Sequence, residues 1–329
     1  MAGFLDRLHH GLKTCGLENQ CILLAVSGGS DSVAMLRGML WFRDMMKLNL
    51  HAAHLNHNLR GDKSLKDVAW LQTLCGQLKI PLIVGSEDVG SIAESRAQGT
   101  EEAARQARYA FLEQIAEKQH CSCVAVAHTA GDQSETILYH VLRGTGISGL
   151  RGMPRCRSLS NGIVLVRPML DICRPDIESY LSQLNQDFRR DETNLDETFT
   201  RNRIRNSLLP LLTRDYNLQV GDALRRLGQQ ATEVQETLEH VAGNLFMEAV
   251  EDKNETTCRL NCDLLADQPR HLIRECFTLL WRELQWPRQR MGFAEWDHLA
   301  GLVLNGGTLT FPGNIQARRR GKLLVLRRS

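Results

Sequence analysis

The sequence predicts an α/β protein, a doubly wound parallel sheet followed by a smaller helical plus β C-terminal domain. Short apolar runs without polar interruption, such as Cys21–Val26 and Cys123–Ala127, read as strands buried on both faces. Segments of helical period separate them, which is the rhythm of a parallel sheet with crossover helices. Near Asp215 that rhythm stops, giving way to long amphipathic helices and then to short strands. The boundary is therefore placed between residues 214 and 215, giving domains 1–214 and 215–329.

The first strand, Cys21–Val26, runs into the tight turn Ser27-Gly28-Gly29-Ser30, and Val33, Leu36, Met39 and Leu40 recur at helical spacing after it. Leu48–Leu55 is a second strand that ends in the polar loop Asn56-His57-Asn58-Leu59-Arg60-Gly61. Lys66–Leu78 is helical, and Ile80–Val84 is a third strand whose Pro81 sits near its start, where a missing N–H is tolerated. Thr100–Lys118 is a strong helix. Thr100 can cap it, Glu101 and Glu102 suit its first turn, and Ala103, Ala107, Ala110, Phe111 and Ile115 form its apolar face. Cys123–Ala127 is a fourth strand, followed by His128-Thr129-Ala130-Gly131-Asp132 and a helix over Glu135–Leu142.

Arg143–Leu150 contains Gly-x-Gly-x-x-Gly, but it follows a helix and no capped helix opens after it. It fails the requirements of a dinucleotide loop and reads as a flexible, basic loop over the site. Ile163–Pro168 is a fifth strand, and Pro175–Leu184 a helix with proline in its first turn. Leu224–Leu245 and Leu272–Leu284 read as amphipathic helices. Gly306–Ile315 reads as two strands joined by Pro312-Gly313, with another strand after Arg320-Gly321-Lys322.

With 329 residues, 43% of them hydrophobic, the chain can bury a substantial core. The segment Met1–Leu17 lacks the apolar centre of a signal peptide, and no run of 18 apolar residues exists. The expectation is a soluble, cytoplasmic protein that does not span a membrane. Ten scattered cysteines, with no Cys-x-x-Cys pair, read as reduced and mostly buried thiols rather than a zinc ribbon or redox motif. A net charge of +2 says little about nucleic acid, so local basic runs must carry that argument.

A strand, a glycine turn and a helix bring free N–H groups and the positive end of a helix dipole to one point, which suits phosphate. Ser27, Ser30 and Ser32 add hydroxyl donors. Asp31 puts a carboxylate where an anion should bind, which suggests a bridging Mg²⁺. No Walker A pattern is present. His54 and His57 lack a cysteine or carboxylate partner at ligand spacing, so hydrogen bonds from His54, Asn56 and His57 to a nucleotide base fit better than zinc, and Arg60 suits a phosphate.

Asp132 and Glu135 stand three apart at a helix start, one turn after His128, and suggest a pocket for a cationic amine. An amine must lose a proton before it attacks, and a carboxylate or His128 could accept it. Helix capping would account for Asp132 alone. Arg201 and Arg205 fall on one face of a helix. The eleven residues before Ser329 hold six basic side chains and no acid, a phosphate-backbone footprint without aromatic stacking residues.

The string Ser27–Ser32 resembles the loop of PP-loop enzymes, adenine nucleotide α-hydrolase-like proteins that cleave ATP between the α- and β-phosphates. More of the chain, roughly residues 20–212, resembles the bacterial tRNA(Ile)-lysidine synthetase family. The resemblance rests on His54-x-Asn56-His57-x-Leu59-Arg60, Glu102-Ala-Ala-Arg105-Gln-Ala-Arg108-Tyr109, His128-x-x-x-Asp132-Gln133-x-Glu135-Thr136, Arg143-Gly144-x-Gly146 and Arg201-Asn202-Arg203-Ile204-Arg205, in that order. The C-terminal Gly306-Gly307-Thr308-Leu309 and Pro312-Gly313 element looks like the family's tRNA-binding domain. The family usually has two adjacent aspartates where this chain has Gly131-Asp132.

The resemblance implies ligation of lysine to C2 of the wobble cytidine in a CAU-anticodon isoleucine tRNA, through an adenylated cytidine, with release of AMP and pyrophosphate. By position it implies ATP on Ser27, Gly28, Gly29, Ser30, Asp31 and Ser32, with Mg²⁺ on Asp31. It further implies phosphate or developing charge on Arg108 and His128, and lysine on Asp132 and Glu135. Arg60, Arg201, Arg203, Arg205, Arg318, Arg319 and Arg320 would grip tRNA, and a homodimer is among the assemblies it allows. A PP-loop tRNA thiolase and a non-catalytic nucleotide-dependent RNA-binding module stay open as alternatives.

Overall fold

The structure, a computed structural model, describes residues 2–56, 62–88, 90, 99–160, 162–189 and 200–329. His57 and Arg60 lie outside the described residues.

The chain divides into two compact units, Met1–Gly228 and Gln229–Ser329. The division falls within a long helix, Val220–Ala249, whereas the change of sequence rhythm places the boundary before that helix begins.

The first unit is a six-stranded sheet of order β3-β2-β1-β4-β6-β5. Its strands are β1 (Cys21–Ala25), β2 (Asn49–Asn56), β3 (Leu82–Ser86), β4 (Cys123–Ala125), β5 (Cys156–Ser160) and β6 (Ile163–Val166). All neighbours pair in parallel except β5, which runs antiparallel to β6 at the edge. β1 shows why the strand runs lack polar residues: Ile22 and Leu24 join the core on one face, Leu23 the core on the other, and none is exposed. Each such buried side chain contributes about 1.5–3 kcal/mol relative to exposure.

One face is covered by α1 (Ala2–Thr14), α2 (Ser30–Phe42) and α3 (Asp62–Gln77), through residues such as Leu8, Leu12, Met35, Met39 and Leu71. The other is covered by α4 (Thr100–Lys118) through Leu112, Ile115 and Ala116. The fold is thus doubly wound, as expected. α4 is capped by Gly99 without a side-chain bond, not by Thr100. α1 carries no helix prediction, yet it packs so closely that a Cβ on Gly11 would stand 1.9 Å from the Pro168 carbonyl oxygen.

After β4 comes α5 (Ala130–Leu142), which starts earlier than the apolar period suggests because Thr129 and Asp132 form a capping box. The stretch expected as a flexible loop over the site contains a helical turn, α6 (Ile147–Leu150), with the Gly149 carbonyl 2.6 Å from His140 Nδ1. α7 (Arg174–Gln183) has Pro175 in its first turn. α8 (Thr200–Arg203) continues through a π-helical turn, Ile204–Leu208, into α9 (Leu209–Asp215). Leu209 N–H reaches back to the Ile204 carbonyl, and the widened turn accommodates Pro210, which has no N–H to give.

Strand order reverses between β1 and β4, since β2 and β3 lie on one side and β6 on the other. The crevice at such a switch point, beyond the carboxyl ends of the strands, is where open α/β sheets bind ligands.

The second unit is an antiparallel sheet of order β7-β8-β11-β10-β9. Its strands are Val250–Lys253, Thr257–Asn261, Gly307–Phe311, Ile315–Arg320 and Leu323–Arg328, numbered β7 to β11 in chain order. The β7–β8 hairpin has no sequence prediction. Phe277, Leu280 and Trp281 of Arg270–Glu283, and Leu299 and Val303 of Phe293–Asn305, build its core. Among the described residues no helix is long and apolar enough to cross a membrane.

Candidate active site

The loops that flank the switch point carry the candidate residues. Val26 ends the first strand by donating its N–H to the Ala53 carbonyl at 2.9 Å. Gly28 then adopts φ +89°, a left-handed conformation that favours glycine, and its carbonyl accepts from Arg189 N–H at 2.8 Å. Ser32 Oγ braces the turn. It accepts from the N–H of Ser27 at 3.2 Å and of Gly28 at 3.1 Å, and donates to the Gly29 carbonyl at 2.9 Å. Gly29 caps α2 without a side-chain bond. Among the described residues no side chain caps the first-turn amides of α2, an arrangement that fits phosphate.

Asp31 sits in that first turn and accepts from Ser30 Oγ at 3.1 Å. Burial and then the Asp132 carboxylate raise its pKa, against the lowering influence of Ser30, Arg174 and Arg205. A half-buried carboxyl facing a second acid, next to free amides, fits a hard divalent cation shared with phosphate oxygens. Across the crevice His54 Nδ1 lies 2.8 Å from the Val26 carbonyl and so carries the hydrogen, while burial lowers its pKa. Neutral His54 thus presents an acceptor nitrogen beside the buried Asn56.

On the β4 side, Arg167 Nε donates to His128 Nδ1 at 3.1 Å, and Arg167 Nη1 donates to the Pro154 carbonyl at 2.7 Å. A guanidinium can only donate, so Nδ1 is the acceptor and the His128 hydrogen stays on Nε2. Burial drives the His128 pKa down to about 3; Asp132 opposes this, while Arg167, Arg108 and Arg201 reinforce it. The sequence leaves His128 open as a proton acceptor. In the structure Nδ1 is engaged by Arg167, and the imidazole presents an N–H at Nε2.

Arg167 is buried, and nothing in the sequence motifs singles it out; its signal is an arginine at the carboxyl end of a core strand, immediately before Pro168. Arg108 has a buried Nε with no partner among the described residues, and its guanidinium lies 5.4 Å from the Tyr109 ring centroid. Arg157 covers the same ring at 4.9 Å. Burial alone would raise the Tyr109 hydroxyl, but Arg108, Arg167 and Arg157 together draw it down. Three arginines around one phenol make this wall of the crevice strongly cationic.

Asp132 and Glu135 project from α5, and both are buried. Asp132 Oδ2 accepts from Thr129 N–H at 2.8 Å and Thr129 Oγ1 at 3.0 Å, the capping role that its position at a helix start allows. Its other oxygen accepts from Arg205 Nη2 at 2.7 Å and Arg201 Nη2 at 3.2 Å. Glu135 accepts from Arg205 Nε at 2.5 Å and Nη2 at 2.9 Å, and from Arg201 Nε at 3.3 Å. Burial alone would raise Asp132, but Arg201, His128, Arg205 and the Thr129 N–H hold it below the usual range.

The three arginines expected to share one role are thus divided. Arg201 and Arg205 turn inward onto the acids, while Arg203 is exposed and donates to Thr200 Oγ1 at 3.2 Å. In these positions Arg201 and Arg205 are paired with carboxylates. A Cβ at Gly131 would meet only Thr129 Oγ1 at 3.6 Å, so there is room for the family's second acid.

In the C-terminal unit, β10 alternates: Ile315 and Ala317 point into the core, while Gln316, Arg318 and Arg320 are exposed. Arg319 differs from its neighbours. Its Nε donates to the Gly321 carbonyl at 2.8 Å and its Nη1 to the Val303 carbonyl near the end of a helix, a structural use that the basic run does not reveal.

The PP-loop domain family matches residues 4–212. The chain is 40% identical over 206 residues to the tRNA(Ile)-lysidine synthase of Clostridium perfringens, covering 63% of this chain and 43% of that protein. It is 32% identical over 315 residues to that of Rhodopirellula baltica, covering 85% of this chain and 79% of that protein. The chain therefore spans less than half the length of the Clostridium relative but most of the Rhodopirellula one. Among solved structures, the U34-tRNA thiolase NcsA of Methanococcus maripaludis superposes with a TM-score of 0.60 at 13% identity, over 70% of this chain and 78% of that one, a likeness of fold.

Proposed function

The chain belongs to the tRNA(Ile)-lysidine synthase family of PP-loop proteins, and from that premise we propose that it ligates lysine to C2 of the wobble cytidine of a CAU-anticodon isoleucine tRNA in the cytoplasm. One observation carries the reading: the phosphate-type turn at Ser27–Ser32 and the acid pair Asp132 and Glu135 meet at one switch point, close enough that Asp132 perturbs Asp31.

In the first step O2 of the cytidine attacks the α-phosphorus of ATP, and the bond to the bridging β-oxygen breaks to release pyrophosphate. The first-turn amides of α2 and the cationic wall of Arg108, Arg157 and Arg167 receive the phosphate charge. Asp31 would hold Mg²⁺, which when bound neutralises phosphate charge. In the second step the lysine ε-amine attacks C2, the C2–O bond breaks, and AMP leaves with that oxygen. His128 donates from Nε2 to the charge developing on phosphate, and its burial keeps it neutral for that purpose. The proton shed by the amine goes to a carboxylate of the acid pair rather than to His128.

Arg201 and Arg205 stand where an ammonium would sit. Lysine binding on this reading is an exchange, guanidinium for ammonium, on carboxylates already arranged to hold a cation. Arg318 and Arg320 of the C-terminal unit supply phosphate contacts to the tRNA, and domain 215–329 serves as its tRNA-binding part.

Incubation with ATP, lysine and CAU-anticodon isoleucine tRNA tests this. AMP, pyrophosphate and lysidine are expected in equal amounts. Release of ADP, or ATP cleavage with no modified nucleoside, would overturn it.

A further inference from the structure

At the amino ends of the strands, away from the loops that form the candidate active site, three soft ligand groups meet. Cys21 is the first residue of β1, His51 lies in β2, and Cys121 precedes β4 by two residues. The register places them together: Cys21 pairs with Asn49 and Leu23 with His51 on one side, and Ile22 pairs with Cys123 on the other. Cys21 and Cys121 belong to the core between the sheet and α4. The turn that delivers Cys121 is held in place. His120 adopts φ +54°, and Cys121 N–H donates to the Ala116 carbonyl at 2.8 Å, closing the end of α4.

The two sulfurs are 3.0 Å apart, and a ring nitrogen of His51 lies with them in a set whose members are all within 4.8 Å of one another. His51 Nδ1 is buried and has no hydrogen-bond partner among the described residues. A buried imidazole nitrogen without a partner carries a desolvation cost that a ligand would relieve. A disulfide would account for the sulfurs but not for the imidazole that lies with them. A tetrahedral zinc ion, with Zn–S about 2.3 Å and Zn–N about 2.0 Å, would place the sulfurs about 3.8 Å apart, so the pair need open by less than about 1 Å. Both thiols already face the Gln119 carbonyl at 3.8 Å, which leaves a fourth position for that oxygen or a water.

We propose that Cys21, His51 and Cys121 form a binding site for a thiophilic divalent cation, Zn²⁺ above others, that clamps the end of α4 to the starts of β1 and β2. On binding, each S–H gives its proton to solvent as its sulfur–metal bond forms, with no change of oxidation state. The three residues are scattered over a hundred positions of sequence, so no spacing motif announces them.

The test uses the full chain, reduced, freed of metal and then titrated with Zn²⁺ against a chromophoric chelator. One equivalent is expected, with Cys21 and Cys121 protected from alkylation in peptide maps of the unaltered protein and a raised thermal midpoint. Co²⁺ in place of Zn²⁺ should give thiolate-to-metal charge-transfer absorption. Cys21→Ser with Cys121→Ser should abolish uptake, and His51→Gln should weaken it at least tenfold. Cys15→Ser with Cys156→Ser, which alters a different thiol pair, should leave uptake unchanged. No uptake by the unaltered chain, equal uptake by the Cys21/Cys121 variant, or a Cys21–Cys121 disulfide in freshly isolated protein would each overturn the proposal.

Discussion

Arg205 grips Glu135 twice, Nε to Oε1 at 2.5 Å and Nη2 to Oε2 at 2.9 Å, a fork-to-fork pairing in which the carboxylate is only 4% exposed. Burial alone would lower the Arg205 pKa, but the bonds to Glu135, with Asp132 and Asp31, outweigh it and raise it. Arg205 therefore stays a cation throughout the neutral range, held against the Glu135 carboxylate.

Removing Arg205 leaves that buried carboxylate with Arg201 as its remaining partner among the described residues. Arg205→Ala is expected to destabilise the chain by about 1–3 kcal/mol, less than the roughly 3–5 kcal/mol of a fully orphaned buried ion, because Arg201 remains. Urea unfolding measures this, and an unchanged midpoint would show that the pairing contributes nothing to stability.

Arg201 makes the longer contacts, at 3.2 and 3.3 Å, and on the proposed reading it competes with an incoming ammonium without being the main support of Glu135. Arg201→Ala should lower the KM for lysine a few-fold with kcat little changed. A raised KM would mean that Arg201 contacts the substrate directly instead of holding its place.

Asp31→Ala should cut pyrophosphate release by about 100-fold or more, since a metal-bridged phosphate contact is worth several kcal/mol and each 1.36 kcal/mol is tenfold. Its carboxyl is raised in pKa by burial and Asp132, so losing it removes a strained charge and the fold should persist by circular dichroism. Full activity in a folded variant would rule out the assigned role.

His128 has a pKa of about 3 in the folded chain against an ordinary 6.5. Between those values the unfolded chain binds a proton that the folded one refuses, so stability falls as pH drops through the window. The slope from this group is up to about 1.4 kcal/mol per pH unit, and His54, also lowered by burial, adds to it. Asn at 128 can still accept from Arg167 and does not titrate, so His128→Asn should flatten the dependence between pH 4 and 6. The same placement predicts no limb from His128 in the pH–rate profile between pH 5 and 8.

Exposed Arg318 and Arg320 should contact phosphates, while Arg319 is tied to the Val303 and Gly321 carbonyls. Arg318→Gln with Arg320→Gln should weaken tRNA binding and reduce the salt slope by about 0.7–0.9 for each phosphate no longer neutralised. Arg319→Gln should leave that slope alone and lower the thermal midpoint.

Much of the fold is legible in the sequence because local physics dictates it. The run Ile22-Leu23-Leu24 has no polar residue since both faces are covered, and Pro175 marks a helix start because its missing N–H is harmless there. α1 and the β7–β8 hairpin escape prediction: what holds α1 is distant chain, as in the stacking of Phe4 on Tyr180 at 4.2 Å. Short strands such as Val250–Lys253, with three of four residues exposed, carry almost no periodic signal.

The sequence by itself determined the turn at Ser27–Ser32, the alternation of strands and helices from β1 to α5, and the residue types at the crevice, because glycine conformations, hydrophobic period and helix caps are set within a few residues. Only the tertiary structure decided which charge meets which. It turned Arg201 and Arg205 inward and left Arg203 in solvent, fixed the His128 hydrogen on Nε2 through Arg167, and brought Cys21, His51 and Cys121 to one point. Those outcomes depend on distances between groups far apart along the chain, and on a burial that makes an unpaired charge or an unpartnered nitrogen costly.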